Sequence, residues 1–122
     1  MALIFITDDA AFTRRMIRKA LQPGDNEHVI LEAANGVECV NLLESHTPDC
    51  IFLDLLMPEL DGYGVLQTIK DRQLDISVIV LSADIQDSAR ERCMALGAFA
   101  MLKKPPKGPE ICEMIQTAID KA

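Results

Sequence analysis

No apolar run in this chain approaches the roughly eighteen residues that a membrane-spanning helix needs, which excludes a helical membrane anchor within its 122 residues. Basic charge is scarce as well. Lys and Arg number 12 against 19 Asp and Glu, a net charge of −7, and a nucleic-acid binder shows a basic face instead. Nothing basic precedes the apolar Leu3-Ile4-Phe5-Ile6, which runs straight into Asp8-Asp9, so no secretion signal is expected. The four cysteines, Cys39, Cys50, Cys93 and Cys112, include no two at the spacing of a metal knuckle. They read as reduced, mostly buried thiols of a cytoplasmic protein. His28 and His46 stand apart from each other and from the acidic motifs, and surface or loop positions are expected for both. Linkers, low-complexity segments and internal repeats are all missing, so residues 1–122 read as one domain.

What is present is a regular alternation of two patterns. Apolar strand-like runs are expected at 2–7, 28–33, 50–53, 77–81 and 99–102. Between and after them, helical spacing predicts helices over 11–21, 37–45, 63–72 and 86–96, and a last helix opening at Gly108-Pro109. The first helix is expected to face inward through Phe12, Ile17, Ala20 and Leu21, and the last through Ile111, Ile115, Ala118 and Ile119. Pro23-Gly24-Asp25-Asn26 breaks the first helix, and Gly97 ends the fourth. The fourth strand is wholly apolar after Ser77, which suits a strand covered on both faces.

Five such units predict an α/β fold. It is a (βα)5, flavodoxin-like, doubly wound parallel sheet of strand order 2-1-3-4-5. That order sets the first and third strands side by side. Both run into carboxylates, the first at Asp8-Asp9 and the third at Asp54. Strand four runs into Ser82 and strand five into Lys104, with Lys103 beside it read as a rim charge; strand two contributes nothing obvious.

Taken singly, each residue has a plain structural role. Asp8 or Asp9 suits a helix cap, Asp54 suits a loop start, and Ser82 suits a cap. Arg14, Arg15, Arg18 and Lys19 read as a solvated helix face, with a docking patch for an acidic protein as the second reading. Taken together on one sheet edge, the carboxylates suit a hard divalent cation such as Mg²⁺. The lysine suits a phosphoryl oxygen, and a remaining carboxylate suits attack on phosphorus.

These motifs are Asp8-Asp9, Asp54 followed by Met57-Pro58 and Asp61-Gly62, Ser82-Ala83, Gly97-Ala98 and Lys104-Pro105. Across essentially its whole length the chain resembles the receiver domain of two-component response regulators, close in size to the chemotaxis-type single-domain members. The resemblance implies a phosphorelay switch rather than an enzyme with a substrate of its own. Asp54 would accept a phosphoryl group from a histidine kinase or phosphotransfer protein. Asp8, Asp9, Asp54 and the Leu56 backbone carbonyl would hold Mg²⁺, Asp8 through water. Ser82 and Lys104 would bind the phosphoryl oxygens. The face made by the fourth helix, fifth strand and fifth helix would meet a downstream protein, with no nucleic acid or membrane involved.

The chain departs from the family pattern at Met101, where many members carry the aromatic of a rotamer switch. Leu56 and Asp84 occupy two variable positions that influence phosphoryl lifetime in the family. An aspartyl phosphatase would want an acid where Leu56 stands. A flavin carrier would want a Ser/Thr/Gly-rich loop where Asp8-Asp9-Ala10-Ala11 stands. A receiver belonging to a longer regulator, whose output domain would be DNA-binding or enzymatic, stays open.

Overall fold

A computed structural model describes residues 2–21, 28–83 and 86–120. Five parallel strands form one sheet in the order β2-β1-β3-β4-β5, as expected. They are β1 (Leu3–Thr7), β2 (Val29–Ala33), β3 (Cys50–Asp54), β4 (Ser77–Ser82) and β5 (Ala100–Lys103). The helices are α1 (Ala11–Leu21), α2 (Gly36–Leu43), α3 (Gly62–Asp71), α4 (Asp87–Ala95) and α5 (Gly108–Asp120). Among the described residues, no helix is long and apolar enough to cross a membrane.

Alternation along the strands divides the core in two. Ile4, Ile6, Phe52, Ile79 and Leu81 pack with Ile17 and Leu21 of α1 and Ile111, Ile115 and Ala118 of α5. Phe5, Ile51, Leu53, Val78 and Val80 pack with Cys39 of α2, Val65, Leu66 and Ile69 of α3, and Cys93 of α4. Both layers are apolar, so β3 and β4 are buried at every residue, the pattern of strands covered on both faces. β2 is an edge strand and shows it, with Val29 and Glu32 exposed.

Local chemistry sets several helix ends. Asn35 accepts from the Glu38 amide at 2.8 Å, while the Glu38 carboxylate accepts from the Ala34 amide at 3.0 Å, a reciprocal cap on α2. Asp61 caps α3 by accepting from the Gly64 amide at 2.9 Å. Gly97, just beyond α4, has φ +94°, a conformation that excludes most side chains.

Two expectations need correction. Phe12 does not face the core; it is 70% exposed, and α1 is seated through Thr13, Ile17 and Leu21 instead. The basic residues of α1 are not all solvated. Arg14 and Arg18 each place Nε 2.9 Å from a Glu32 carboxylate oxygen on β2, whereas Arg15 and Lys19 are exposed. Three cysteines are buried and Cys112 is exposed. Burial pushes the thiols of Cys39 and Cys50 up to about 11 and about 12, so both are un-ionised. His46 is exposed and His28 half-buried. The break expected at Pro23-Gly24-Asp25-Asn26 lies outside the described residues.

Candidate functional site

The site is assembled by register. Thr7 of β1 lies opposite Leu53 of β3, so the next residue on each strand, Asp8 and Asp54, emerges at the same edge. β3 runs one residue beyond its expected end, because Asp54 itself pairs with Leu81 of β4. Ser82 of β4 lies opposite Lys103 of β5, and the Lys104 amide donates to the Ser82 carbonyl at 2.9 Å. The Lys104-Pro105 peptide bond is cis.

Asp8 is fully buried and Asp54 is 4% exposed, while Asp9 faces solvent. A carboxylate oxygen from each lies within 4.8 Å of the others. Asp8 Oδ1 accepts from the Ala10 amide at 2.8 Å, and Asp8 Oδ2 stands 2.8 Å from Lys104 Nζ. Asp54 Oδ1 is 3.4 Å from the same ammonium and 3.4 Å from the Leu56 amide. Leu56 itself is at the rim, its side chain 75% exposed. Lys103 is exposed, as expected for a rim charge, and Ser82 is buried.

Burial, and then the neighbouring Asp8 charge, push the Asp54 carboxyl up to about 6, against the pull of Lys104 and the Leu56 amide. Burial acts to lower the Lys104 ammonium, but the bond to Asp8 and the charges of Asp8 and Asp54 outweigh it, and its pKa is raised. The cluster therefore holds more negative charge than its one lysine neutralises. Three hard oxygen donors this close, two of them buried, fit a small divalent cation that keeps part of its water shell.

Residues that had no evident part in the site also reach it. Arg14 Nη1 donates to the Asp8 carbonyl oxygen, and Arg14 is held in turn by Glu32. Burial acts to raise the Glu32 pKa, but the bonds to Arg18 and Arg14 overcome this and lower it. A basic residue six positions beyond an acidic one carries no signal of such a bond, and its anchor Glu32 joins it only once β2 lies against β1. Met101 is buried among the residues of the α2, α3 and α4 side of the core. Asp84 lies outside the described residues.

Comparison with known proteins agrees with this geometry. The family model "Response regulator receiver domain" matches residues 4–116. The chemotaxis protein CheY of Bacillus subtilis is 35% identical over 117 residues, covering 96% of this chain and 97% of that protein. A protein-glutamate methylesterase/protein-glutamine glutaminase of Clostridium acetobutylicum is 36% identical over 113 residues. That match takes in 91% of this chain but spans a third of the methylesterase, 33% of its length. Among solved structures, the chemotaxis response regulator CheY4 of Vibrio cholerae superposes with a TM-score of 0.87 at 22% identity, over 97% of this chain and 98% of that one, a likeness of fold. Whole-length sequence similarity, sheet order and an acidic edge flanked by a serine and a lysine converge on one conclusion: this chain belongs to the response regulator receiver domain family.

Proposed function

We propose that Asp54 is the phosphoacceptor of a phosphorelay switch, and the observation that carries this reading is the placement of Asp54. It is a nearly buried carboxylate at the end of β3, clustered with Asp8 and Asp9 and 3.4 Å from the Lys104 ammonium. The donor is a histidine kinase or phosphotransfer protein. Asp54 attacks the phosphorus of its phosphohistidine, an O–P bond forms as the N–P bond breaks, and the departing imidazole takes up a proton. Asp8, Asp9 and Asp54, with the Leu56 backbone carbonyl, would hold Mg²⁺, Asp8 through water. The ion, when bound, neutralises charge on the transferring oxygens.

Lys104 supplies a point charge to a phosphoryl oxygen, and the Ser82 hydroxyl supplies a hydrogen bond. Drawing both toward Asp54 shifts the loops that follow β4 and β5, so the surface of α4, β5 and α5 carries the output to a protein partner. The only reaction assigned to the chain is its own phosphorylation and dephosphorylation, in a cytoplasmic setting. Similarity to the methylesterase supports a receiver and not an esterase, since the match lies within a third of that protein.

Intact mass spectrometry with Mg²⁺ and acetyl phosphate tests the reading. A single phosphoryl adduct that requires Mg²⁺ and disappears in Asp54→Ala is expected. An adduct that survives in Asp54→Ala places the acceptor elsewhere.

A further inference from the structure

β2 ends in no reactive side chain, yet it reaches the acidic cluster through two residues. Glu32, on this edge strand, receives Arg14 Nε at 2.9 Å on one oxygen and Arg18 Nε at 2.9 Å on the other. Arg14 spends a second nitrogen on the carbonyl oxygen of Asp8. Arg18 instead reaches the Ile30 carbonyl, at 3.3 Å, and does not touch the acidic segment. Two arginines one helical turn apart therefore share one carboxylate, and one of them grips the peptide that joins Asp8 to Asp9.

From this geometry we infer that Arg14, held by Glu32, is a positioning residue that sets the Asp8-Asp9 backbone for cation binding. The inference rests on the reading of the acidic cluster as the Mg²⁺ site. The Asp8 side chain is already tied at both oxygens, to the Ala10 amide and to Lys104, and its amide donates to the Ala33 carbonyl at 3.1 Å. Its carbonyl is the remaining handle, and it lies in the peptide that carries Asp9. Asp9 is exposed, so its ligand geometry depends on that peptide more than on packing. A planar guanidinium can bridge two acceptors at fixed angles, which a lysine ammonium on a flexible stem cannot do as rigidly. Arg14 is well covered, with its side chain 17% exposed, and Glu32 is 34% exposed, so the bridge is only partly screened by water.

Charge and geometry act in opposite directions here, which makes the inference testable. A cation beside a cation site weakens metal binding by repulsion, whereas a bond that pre-sets a ligand strengthens it. Mg²⁺ binding by isothermal titration calorimetry separates the two. Arg14→Lys keeps the charge and loses the two-ended bridge, and its Mg²⁺ affinity is expected to fall about tenfold, the scale of lost outer-shell partners at metal sites. Glu32→Ala leaves Arg14 unanchored and is expected to fall in the same direction. The double variant is expected to be no weaker than the weaker single variant, because the two residues act as one unit. Arg18→Lys, which disturbs Glu32 but not the bridge to Asp8, is expected to stay within about twofold of wild type.

Urea unfolding of each variant guards against general damage, and if Arg14→Lys does not fold, Arg14→Gln carries the comparison, because there the lost cation acts to tighten Mg²⁺ binding and the lost bridge to weaken it. Wild-type affinity in Arg14→Lys, or tighter binding in both Arg14→Lys and Glu32→Ala, overturns the inference while leaving the cation site intact. Additive losses in the double variant overturn it too. A wild-type protein that binds no Mg²⁺ overturns the site reading itself, and the positioning role with it.

Discussion

Lys104 is held closer to Asp8 than to Asp54: its Nζ stands 2.8 Å from Asp8 Oδ2 and 3.4 Å from Asp54 Oδ1. Asp8 is fully buried and Asp54 nearly so, and a buried carboxylate without a counter-charge is costly. The lysine is thus the internal counter-ion of the cluster, placed within reach of both Asp8 and the proposed acceptor.

Removing that counter-ion leaves two buried carboxylates facing each other. Lys104→Met is expected to lower stability in the absence of divalent cation by on the order of 3 kcal/mol, the scale of orphaning one member of a buried pair. Mg²⁺ affinity is expected to rise in the same variant, because a competing positive charge is gone. Urea unfolding with and without Mg²⁺ reads both effects, and a variant as stable as wild type without Mg²⁺ removes the counter-ion role.

The raised carboxyl of Asp54 has a signed consequence for pH. Its folded pKa of about 6 exceeds the ordinary 3.8, so the folded protein binds this proton more tightly than the unfolded chain does. Stability from this group is full at pH below the ordinary value and is lost as pH rises through about 6. Without divalent cation, Asp54→Asn is expected to exceed wild type above that point by about 2–3 kcal/mol and to lack this pH dependence. Equal stability of the two proteins from about pH 5 to pH 8 contradicts the shift.

Gly62 opens α3 directly against the end of β3. A Cβ there would stand 2.6 Å from the Asp54 carbonyl oxygen and 2.7 Å from the Leu55 Cα. Both obstacles are backbone, so neither yields by changing a rotamer. Gly62→Ala is expected to cost about 1–3 kcal/mol, as overpacking does, and to reduce phosphoryl adduct at Asp54 by moving the strand end. Full adduct formation with wild-type stability shows that the loop absorbs the methyl group.

Leu56 stands at the rim two residues beyond Asp54, with its amide turned to the Asp54 carboxylate. If its exposed side chain screens an acyl phosphate at the proposed acceptor, a polar replacement admits water. Leu56→Asn is expected to leave stability near wild type and to shorten the phosphoryl lifetime. An unchanged rate of phosphate release counts against screening.

Phe12 is the residue on which sequence and structure part most sharply. Helical periodicity assigns it to the inner face of α1, but it projects into solvent. Phe12→Ala is expected to change unfolding stability by no more than about 0.5 kcal/mol, as exposed substitutions do. A loss of several kcal/mol, as truncation of a core phenylalanine causes, returns it to the core.

The sequence by itself determined the element order, the strand order and the carboxylates of the cluster. The physical reason is local: unbroken apolar runs such as Ile51-Phe52-Leu53 are stable only between two helical layers, and strand-end acids must leave the sheet at its edge. Motif spacing around Asp54, Asp61-Gly62, Ser82 and Lys104 also carried the family, which the match over residues 4–116 bears out.

What only the tertiary structure decided is which charges meet. The spacing from Asp8 to Lys104, or from Arg14 to Glu32, holds no clue to their pairing, since each pair joins segments brought together by sheet register. The same holds for the inner face of α1. Stripes through Phe12 and through Thr13 both fit the periodicity, and the sheet selects the one through Thr13, Ile17 and Leu21 because that face buries the helix against β1 and α5. Periodicity names the apolar residues, whereas the partner surface chooses among them, and for the same reason one arginine of a basic helix face, Arg14, came to lie between Glu32 and the Asp8 carbonyl.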